Sequence, residues 1–100
     1  MADEAAARAV VEAYLKKHFP DARWIRDDLD GDRSTHRWLV TTPAIEFLLH
    51  VSLEFLRDHT PATIAAKLED WAVSSALKAS APERFVLVTR EGRREEPWKR

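Results

Sequence analysis

The chain has 100 residues, of which 45% are hydrophobic and 33% charged, and its formal net charge is −1 at pH 7. These values predict one soluble globular domain with a single core, and they lack the basic excess typical of proteins that bind double-stranded nucleic acid. The absence of cysteine excludes disulfides and cysteine-ligated zinc, and it favours a cytoplasmic protein over a small secreted one. We find neither a signal-peptide core nor an apolar run of the ~18 residues that a membrane span needs.

The first predicted element is an amphipathic helix over residues 3–19. Asp3 is a suitable N-cap, and Val11 and Leu15 recur on one side at helical spacing. Basic side chains in the last turn suit the helix dipole, and Pro20 ends the helix. We expect the apolar side of this helix to pack against a core.

Two strands are predicted next, over residues 22–29 and 34–42. They flank Asp30 and Gly31, and Asp-Gly between strand-like runs is typical of a two-residue turn whose central residues take positive φ. Trp38 and several β-branched residues favour the second of these strands. The two strands are therefore expected to form a β-hairpin.

A third strand is predicted over residues 46–56, EFLLHVSLEFL, after a connection at Pro43 and Ala44. Its odd positions are apolar throughout, and strict period two explains this pattern better than helical spacing does. The side chains expected to face the core are Phe47, Leu49, Val51, Leu53 and Phe55.

Thr60 and Pro61 predict the start of a second helix, because threonine is a good N-cap and proline suits the first helical position. The expected buried side of this helix consists of Ile64, Ala65, Leu68, Trp71, Ala72, Ser75 and Ala76. Pro82 ends the helix, and residues 84–90 are predicted to form a short last strand. Residues 91–100 lack periodicity and are predicted to be a charged, flexible tail.

The predicted order α-β-β-β-α-β indicates an α+β fold in a single domain, residues 1–90. In such a fold we expect an antiparallel sheet with two helices packed on one face. The other face of the sheet would then be open to solvent or to a partner.

The register of the second and third strands decides which residues lie on that open face. A bend at residues 43–44 pairs Trp38 with Leu49 and directs both side chains toward the helices. The same register places Arg37 opposite His50 on the open face.

A two-residue turn between the first two strands would pair Trp24 with Arg37 and complete a row Trp24–Arg37–His50. A loop that is one residue longer would exchange Trp24 for Ile25. Aromatic and arginine side chains are enriched at protein interfaces, and arginine can stack on tryptophan. We take this row as the candidate binding site, although a solvated sheet face with scattered apolar residues needs no function.

Three patterns that could indicate a metal or catalytic site remain incomplete. The acidic stretch DDLDGD, Asp27–Asp32, lacks the glycine and glutamate spacing of an EF-hand calcium loop. The four histidines are scattered without a third metal ligand, and His50 lies two strand positions from Ser52, too far for a hydrogen bond. The two glycines are far apart and form no phosphate-binding loop. We expect no metal, no cofactor and no catalytic activity.

The order α-β-β-β-α over residues 3–79 resembles the double-stranded RNA-binding fold. That resemblance implies RNA contacts from the loop between the first two strands and from a lysine cluster that opens the second helix. Here the loop at Asp27–Asp32 is acidic, and the helix opening TPATIAAK contains a single base, Lys67. Because acidic side chains repel a phosphate backbone, RNA binding is an alternative hypothesis and not the main one.

The tail contains a second candidate contact, formed by Arg93, Arg94 and Trp98 and diluted by neighbouring glutamates. The sequence as a whole favours a non-catalytic cytoplasmic domain that binds another protein or forms a homodimer. RNA binding through the open face and the tail is the first alternative, and a small-ligand binder or enzyme is the second.

Overall fold

The computed structural model describes residues 4–31, 34–80 and 84–97 of the chain. These residues form a single α+β domain with four helices and a five-stranded sheet. In chain order the elements are α1 (Glu4–His18), β1 (Trp24–Asp30), β2 (Thr35–Thr41), β3 (Glu46–Ser52), α2 (Leu53–Asp58), α3 (Pro61–Asp70), α4 (Val73–Ser80), β4 (Arg84–Thr89) and β5 (Gly92–Pro97). The strands lie in the order β1-β2-β3-β4-β5. Among the helices described, we find none with the length and apolar character that crossing a membrane requires.

The sheet is mixed, which corrects the expectation of an antiparallel sheet with two helices. Strands β3 and β4 are parallel, and every other neighbouring pair is antiparallel. Parallel neighbours need a long crossover, and α2, α3 and α4 together provide it between β3 and β4. Strand β4 therefore runs in the same direction as β3.

Strand β3 ends earlier than the alternating pattern predicted. Ser52 is the N-cap of α2, and its hydroxyl accepts a hydrogen bond from the Phe55 backbone N–H at 3.0 Å. Phe55 is buried as predicted, but it reaches the core from a helix and not from a strand. The prediction of a strand over residues 53–56 is wrong because this local cap starts a helix within an apolar run.

The predicted second helix is divided in two at Ala72. The start at Thr60 and Pro61 is confirmed, with the Thr60 hydroxyl accepting from the Thr63 N–H at 3.2 Å. Ala72 has a φ of 49°, in the left-handed region, where α3 ends before α4 begins. This break changes which side chains of the following turns are buried. Ala72 and Ser75, predicted to be buried, are exposed, whereas Val73, Ser74 and Leu77 are buried.

Residues 92–97, predicted to belong to a flexible tail, form the edge strand β5. They pair with β4 from Thr89 opposite Gly92 to Arg84 opposite Pro97. Gly92 has a φ of 134°, a conformation that glycine adopts without the strain of a side chain. The sequence did not predict this strand because its residues are charged and show no apolar alternation. An edge strand can carry charged side chains on both faces.

One face of the sheet carries the hydrophobic core beneath the helices. The buried core side chains include Trp38, Val40, Leu49, Val51, Val86 and Val88 from the strands and Val11, Leu15, Phe55, Leu56, Ile64, Leu68 and Leu77 from the helices. Phe85 is also buried but lies outside this cluster, because its neighbours in β4 alternate between the two faces. We call the sheet face that carries Phe85, opposite the helices, the open face.

Candidate interaction surface

A row of side chains crosses the open face, with one residue from each strand. The strand registers place Asp28, Arg37, His50, Leu87 and Arg94 at successive positions from β1 to β5. The predicted pairing of Arg37 with His50 is therefore confirmed. The sequence could not show the outer members of the row, because they depend on strand order and on β5.

Trp24 shares the open face with Arg37 but does not lie opposite it, which corrects the predicted row. Trp24 pairs with Thr41, and Asp28 takes the position opposite Arg37. The contact of Trp24 on this face is Arg26, whose guanidinium carbon lies 5.4 Å from the centre of the indole ring. This distance is suitable for a cation–π interaction.

The loop between β1 and β2 explains the shift in register. Asp30 pairs with Thr35, so four residues separate the strands where two were predicted. Positive φ occurs at Ser34, with a value of 52°, and not at Gly31. Two of the loop residues, Asp32 and Arg33, lie outside the described part of the chain. The residue opposite Trp24 changes from Arg37 to Thr41, four positions along β2. An even shift keeps the alternation of side chains, and Trp24 therefore stays on the predicted face.

A depression of about 370 Å³ lies on the open face between β1, β2 and β3. Leu39 and Leu48 pair directly across β2 and β3 and form its apolar part. The remaining lining residues are charged: Arg26, Asp27, Asp28 and Arg37. A small apolar area surrounded by charged groups is the typical composition of a contact site for another protein.

A bidentate ion pair at this site joins Arg37 to Asp28. Arg37 donates from Nε to Oδ1 of Asp28 at 2.9 Å and from a terminal nitrogen to Oδ2. These hydrogen bonds lower the pKa of Asp28 and raise the pKa of Arg37 relative to their ordinary values. The pair therefore stays ionised at neutral pH, and its contribution is lost only when acidification protonates Asp28.

Arg26 differs from Arg37 because no carboxylate partner for it occurs among the described residues. The guanidinium of Arg26 lies over the ring of Trp24, and both side chains are exposed. An arginine beside an aromatic ring and next to an apolar depression can bind a carboxylate supplied by a partner.

The side chain of His50 lies on the open face but is buried. It is 4% exposed, and its ring stacks on Phe85 with centroids 4.2 Å apart. Phe85 is 6% exposed. A direct contact of His50 with a partner stays a prediction, and in this structure the ring of His50 packs on Phe85.

The three residues of the predicted tail contact are Arg93, Arg94 and Trp98, and the structure does not bring them together into one described site. Arg93 donates to the backbone carbonyl of Trp71, which attaches β5 to the break between α3 and α4. Arg94 lies on the open face opposite Leu87 and is exposed. Trp98 lies outside the described residues. Arg93 and Arg94 therefore point to opposite faces of β5.

A polar cluster on the other face was not predicted. His36 is 5% exposed, and its Nε2 donates to Oδ2 of Asp27 at 2.8 Å, with Arg8 of α1 4.0 Å from the same oxygen. Asp27 and His36 are nine residues apart, so only the strand register could bring them together. Within the described part of the chain, no three histidine, aspartate or glutamate side chains are grouped so that they could hold a metal ion.

A scan of protein-family models and searches of the curated proteins and of the solved structures found no match to this chain.

Proposed function

We propose that this protein is a non-catalytic interaction domain that binds another protein through the open face. The observation that carries the proposal is the depression over Leu39 and Leu48, which combines an apolar floor with a charged rim. A partner of matching chemistry places an apolar side chain on this floor and polar groups against the charged rim.

The charges of the open face favour a protein over a nucleic acid. Among the described strand residues, its cations are Arg26, Arg37 and Arg94, and its anions include Asp28, Asp30, Glu46 and Glu96. Arg37 is paired with Asp28, and Arg94 lies 3.6 Å from Glu96. Nucleic-acid binding requires arginines and lysines that neutralise phosphates, and here carboxylates already neutralise two of the three cations.

The test is affinity capture from a lysate of the source cells with three baits. The first is the wild type, and the second is Leu39→Glu/Leu48→Lys, which replaces the apolar floor with a cross-strand ion pair and keeps the net charge. The third is Ala62→Glu/Ala66→Lys, a matched pair of substitutions on the exposed side of α3. Circular dichroism of each bait verifies that it is folded.

We expect a protein that the wild type and the α3 variant capture and that the floor variant loses. Because central apolar contacts dominate interface energies, the floor variant should weaken the purified complex by about 2 kcal/mol or more, roughly 30-fold in Kd by calorimetry. Identical captured proteins from all three baits would contradict the proposal. Captured nucleic acid that dissociates with added salt would favour the RNA alternative instead.

A further inference from the structure

We propose that β1 pairs with β1 of a second copy of this chain and joins two sheets into one continuous ten-stranded sheet. The interface is the outer edge of β1 (Trp24–Asp30), which has β2 on one side and, within the described part of the chain, no neighbouring strand on the other. Free strand edges expose backbone donors and acceptors and can add a further strand. This inference does not depend on the proposed function.

The exposed apolar side chains of the protein concentrate on this edge. Among the described residues, the large hydrophobic side chains that remain exposed are Trp24, at 48%, and Leu29, at 59%. Both belong to β1, on opposite faces of the sheet. Burial of Leu29 contributes more free energy to association if its neighbour across the new interface is also apolar.

The symmetry of a homodimer selects one full-length register. A two-fold axis perpendicular to the sheet relates antiparallel copies and matches side chains on the same face. Placed at Asp27, the middle residue of β1, this axis keeps all seven residues paired. Ile25 then lies opposite the partner's Leu29, and Arg26 lies opposite the partner's Asp28.

The charges of β1 are complementary in this register. Arg26 has no carboxylate partner within the described residues of its own subunit, and the partner's Asp28 would supply one twice per dimer. Asp28 can accept from Arg37 and from a second arginine together, since a carboxylate has about four acceptor sites.

The negative charge of Asp27, the residue on the axis, is also compensated. Asp27 faces its own copy, and two like charges directly opposite are unfavourable. Its carboxylate oxygen, however, lies 2.8 Å from Nε2 of His36 and 4.0 Å from Arg8. These contacts turn the carboxylate toward the interior of its own subunit and reduce the repulsion.

The other edge strand, β5, lacks these properties. The six residues Gly92–Pro97 have no middle residue, so an axis that pairs the full strand with its copy would match side chains on opposite faces. Arg93 and Arg94 already contact Glu95 and Glu96 at 2.8 and 3.6 Å. Charged edges of this kind resist pairing.

Dimerisation through β1 would place the two open faces on the same side of the joined sheet. The two-fold axis is perpendicular to the sheet, and it therefore leaves the orientation of each face unchanged. The dimer would present two copies of the depression on one surface.

The test uses two charge reversals and their mixture. Arg26→Asp alone sets two acidic groups against each other at each of the symmetric contacts, and Asp28→Arg alone sets two arginines against each other. When the two variants are mixed in equal amounts, the acidic side chains at positions 26 and 28 of one subunit face arginines at positions 28 and 26 of the other. Arg94→Asp is the matched control, because it makes the same charge reversal on the other edge strand. Sedimentation equilibrium over a range of concentrations measures the dissociation constant, and thermal melting verifies that each variant is folded.

We expect the wild type and Arg94→Asp to dimerise with the same dissociation constant. Each β1 variant alone should have a dissociation constant at least about 10-fold larger, which corresponds to about 1.4 kcal/mol, and the mixture should recover the wild-type value. A wild type that is monomeric up to its solubility limit would overturn the proposal. So would a dimer that the β1 reversals leave unchanged, or a mixture that remains as dissociated as its components. These results are independent of the capture experiment, since the variants of the floor lie on β2 and β3.

Discussion

The hydroxyl of Tyr14 connects two helices that are far apart in the sequence. It accepts a hydrogen bond from the backbone N–H of Ser74 at 2.8 Å, at the start of α4, and the whole contact is buried. The first N–H groups of a helix have no partner within the helix, so this side chain of α1 acts as a distant cap for α4. Tyr14 lies on the buried side of α1 with Val11 and Leu15, but its partner depends on the break at Ala72.

We expect Tyr14→Phe to lower the free energy of unfolding by about 1–3 kcal/mol, because it leaves a buried N–H without an acceptor. Urea unfolding followed by circular dichroism measures the change. Ser74→Ala is the control, since it keeps the backbone donor and should have a much smaller effect. An equal loss for the two variants would contradict the assigned hydrogen bond.

Glu69 provides a contact between α1 and α3 that depends on pH. The hydrogen bond from His18, followed by the charge of Lys17, lowers the pKa of Glu69 below its ordinary value of 4.5. A carboxylate whose pKa is lower in the folded state stabilises the protein above its unfolded pKa and loses this effect as pH falls.

The stability difference between the wild type and Glu69→Gln is therefore expected to be constant near neutral pH. It should decrease below about pH 4.5 and disappear once the folded state binds the proton. Urea unfolding at a series of pH values measures this difference. In a Lys17→Gln/His18→Gln background the pH dependence should be lost, and its persistence there would show that other groups cause it.

At the scale of secondary structure, short capping and turn contacts decided where elements end. Ser52 ends β3 and starts α2, and Ala72 separates α3 from α4. Both positions lie inside segments whose apolar pattern continues without interruption. Periodicity therefore predicted the buried side of α1 and of β3 but placed two boundaries incorrectly.

Because Ala72 has a left-handed conformation, replacing it by glycine should raise the stability of the protein. The same replacement inside α3 should lower it. Ala72→Gly should stabilise the protein by roughly 0.5–1 kcal/mol, because glycine adopts positive φ without a side-chain clash. Ala66→Gly, at an exposed position inside α3, should destabilise it by about 1 kcal/mol. Thermal and urea unfolding of both variants provide the comparison. Destabilisation by both substitutions would contradict the assigned break.

At the scale of the whole molecule, β5 completes the sheet on the side of β4. Strand β4, RFVLVT, is apolar and would become an edge without β5. Natural proteins rarely leave such a strand unpaired, because it promotes aggregation. The charged strand β5 is thus part of the fold, although its composition resembles that of a tail.

A chain that stops after Glu91 is expected to be less stable and to aggregate. It loses the β4–β5 pairing and the hydrogen bond from Arg93 to the Trp71 carbonyl. Light scattering coupled to size-exclusion chromatography detects the aggregates, and urea unfolding measures the stability of the soluble fraction. Arg94→Ala, which keeps the strand, is the control and should remain soluble. A truncated chain with wild-type stability would show that β5 contributes little to the fold.

The sequence by itself determined the helix start at Thr60, the last apolar strand and the register of β2 with β3, including Arg37 opposite His50. These features depend on local caps and on a short connection, for which neighbouring residues carry the information.

Tertiary structure decided the order of the strands, the parallel pairing of β3 with β4, the position of Trp24 and the existence of β5. The position of Trp24 follows from the four-residue loop between β1 and β2. The other three features depend on contacts between residues that are distant in the sequence, such as the hydrogen bond from Arg93 to the Trp71 carbonyl. Such contacts gain their free energy only when the chain has closed into the complete sheet.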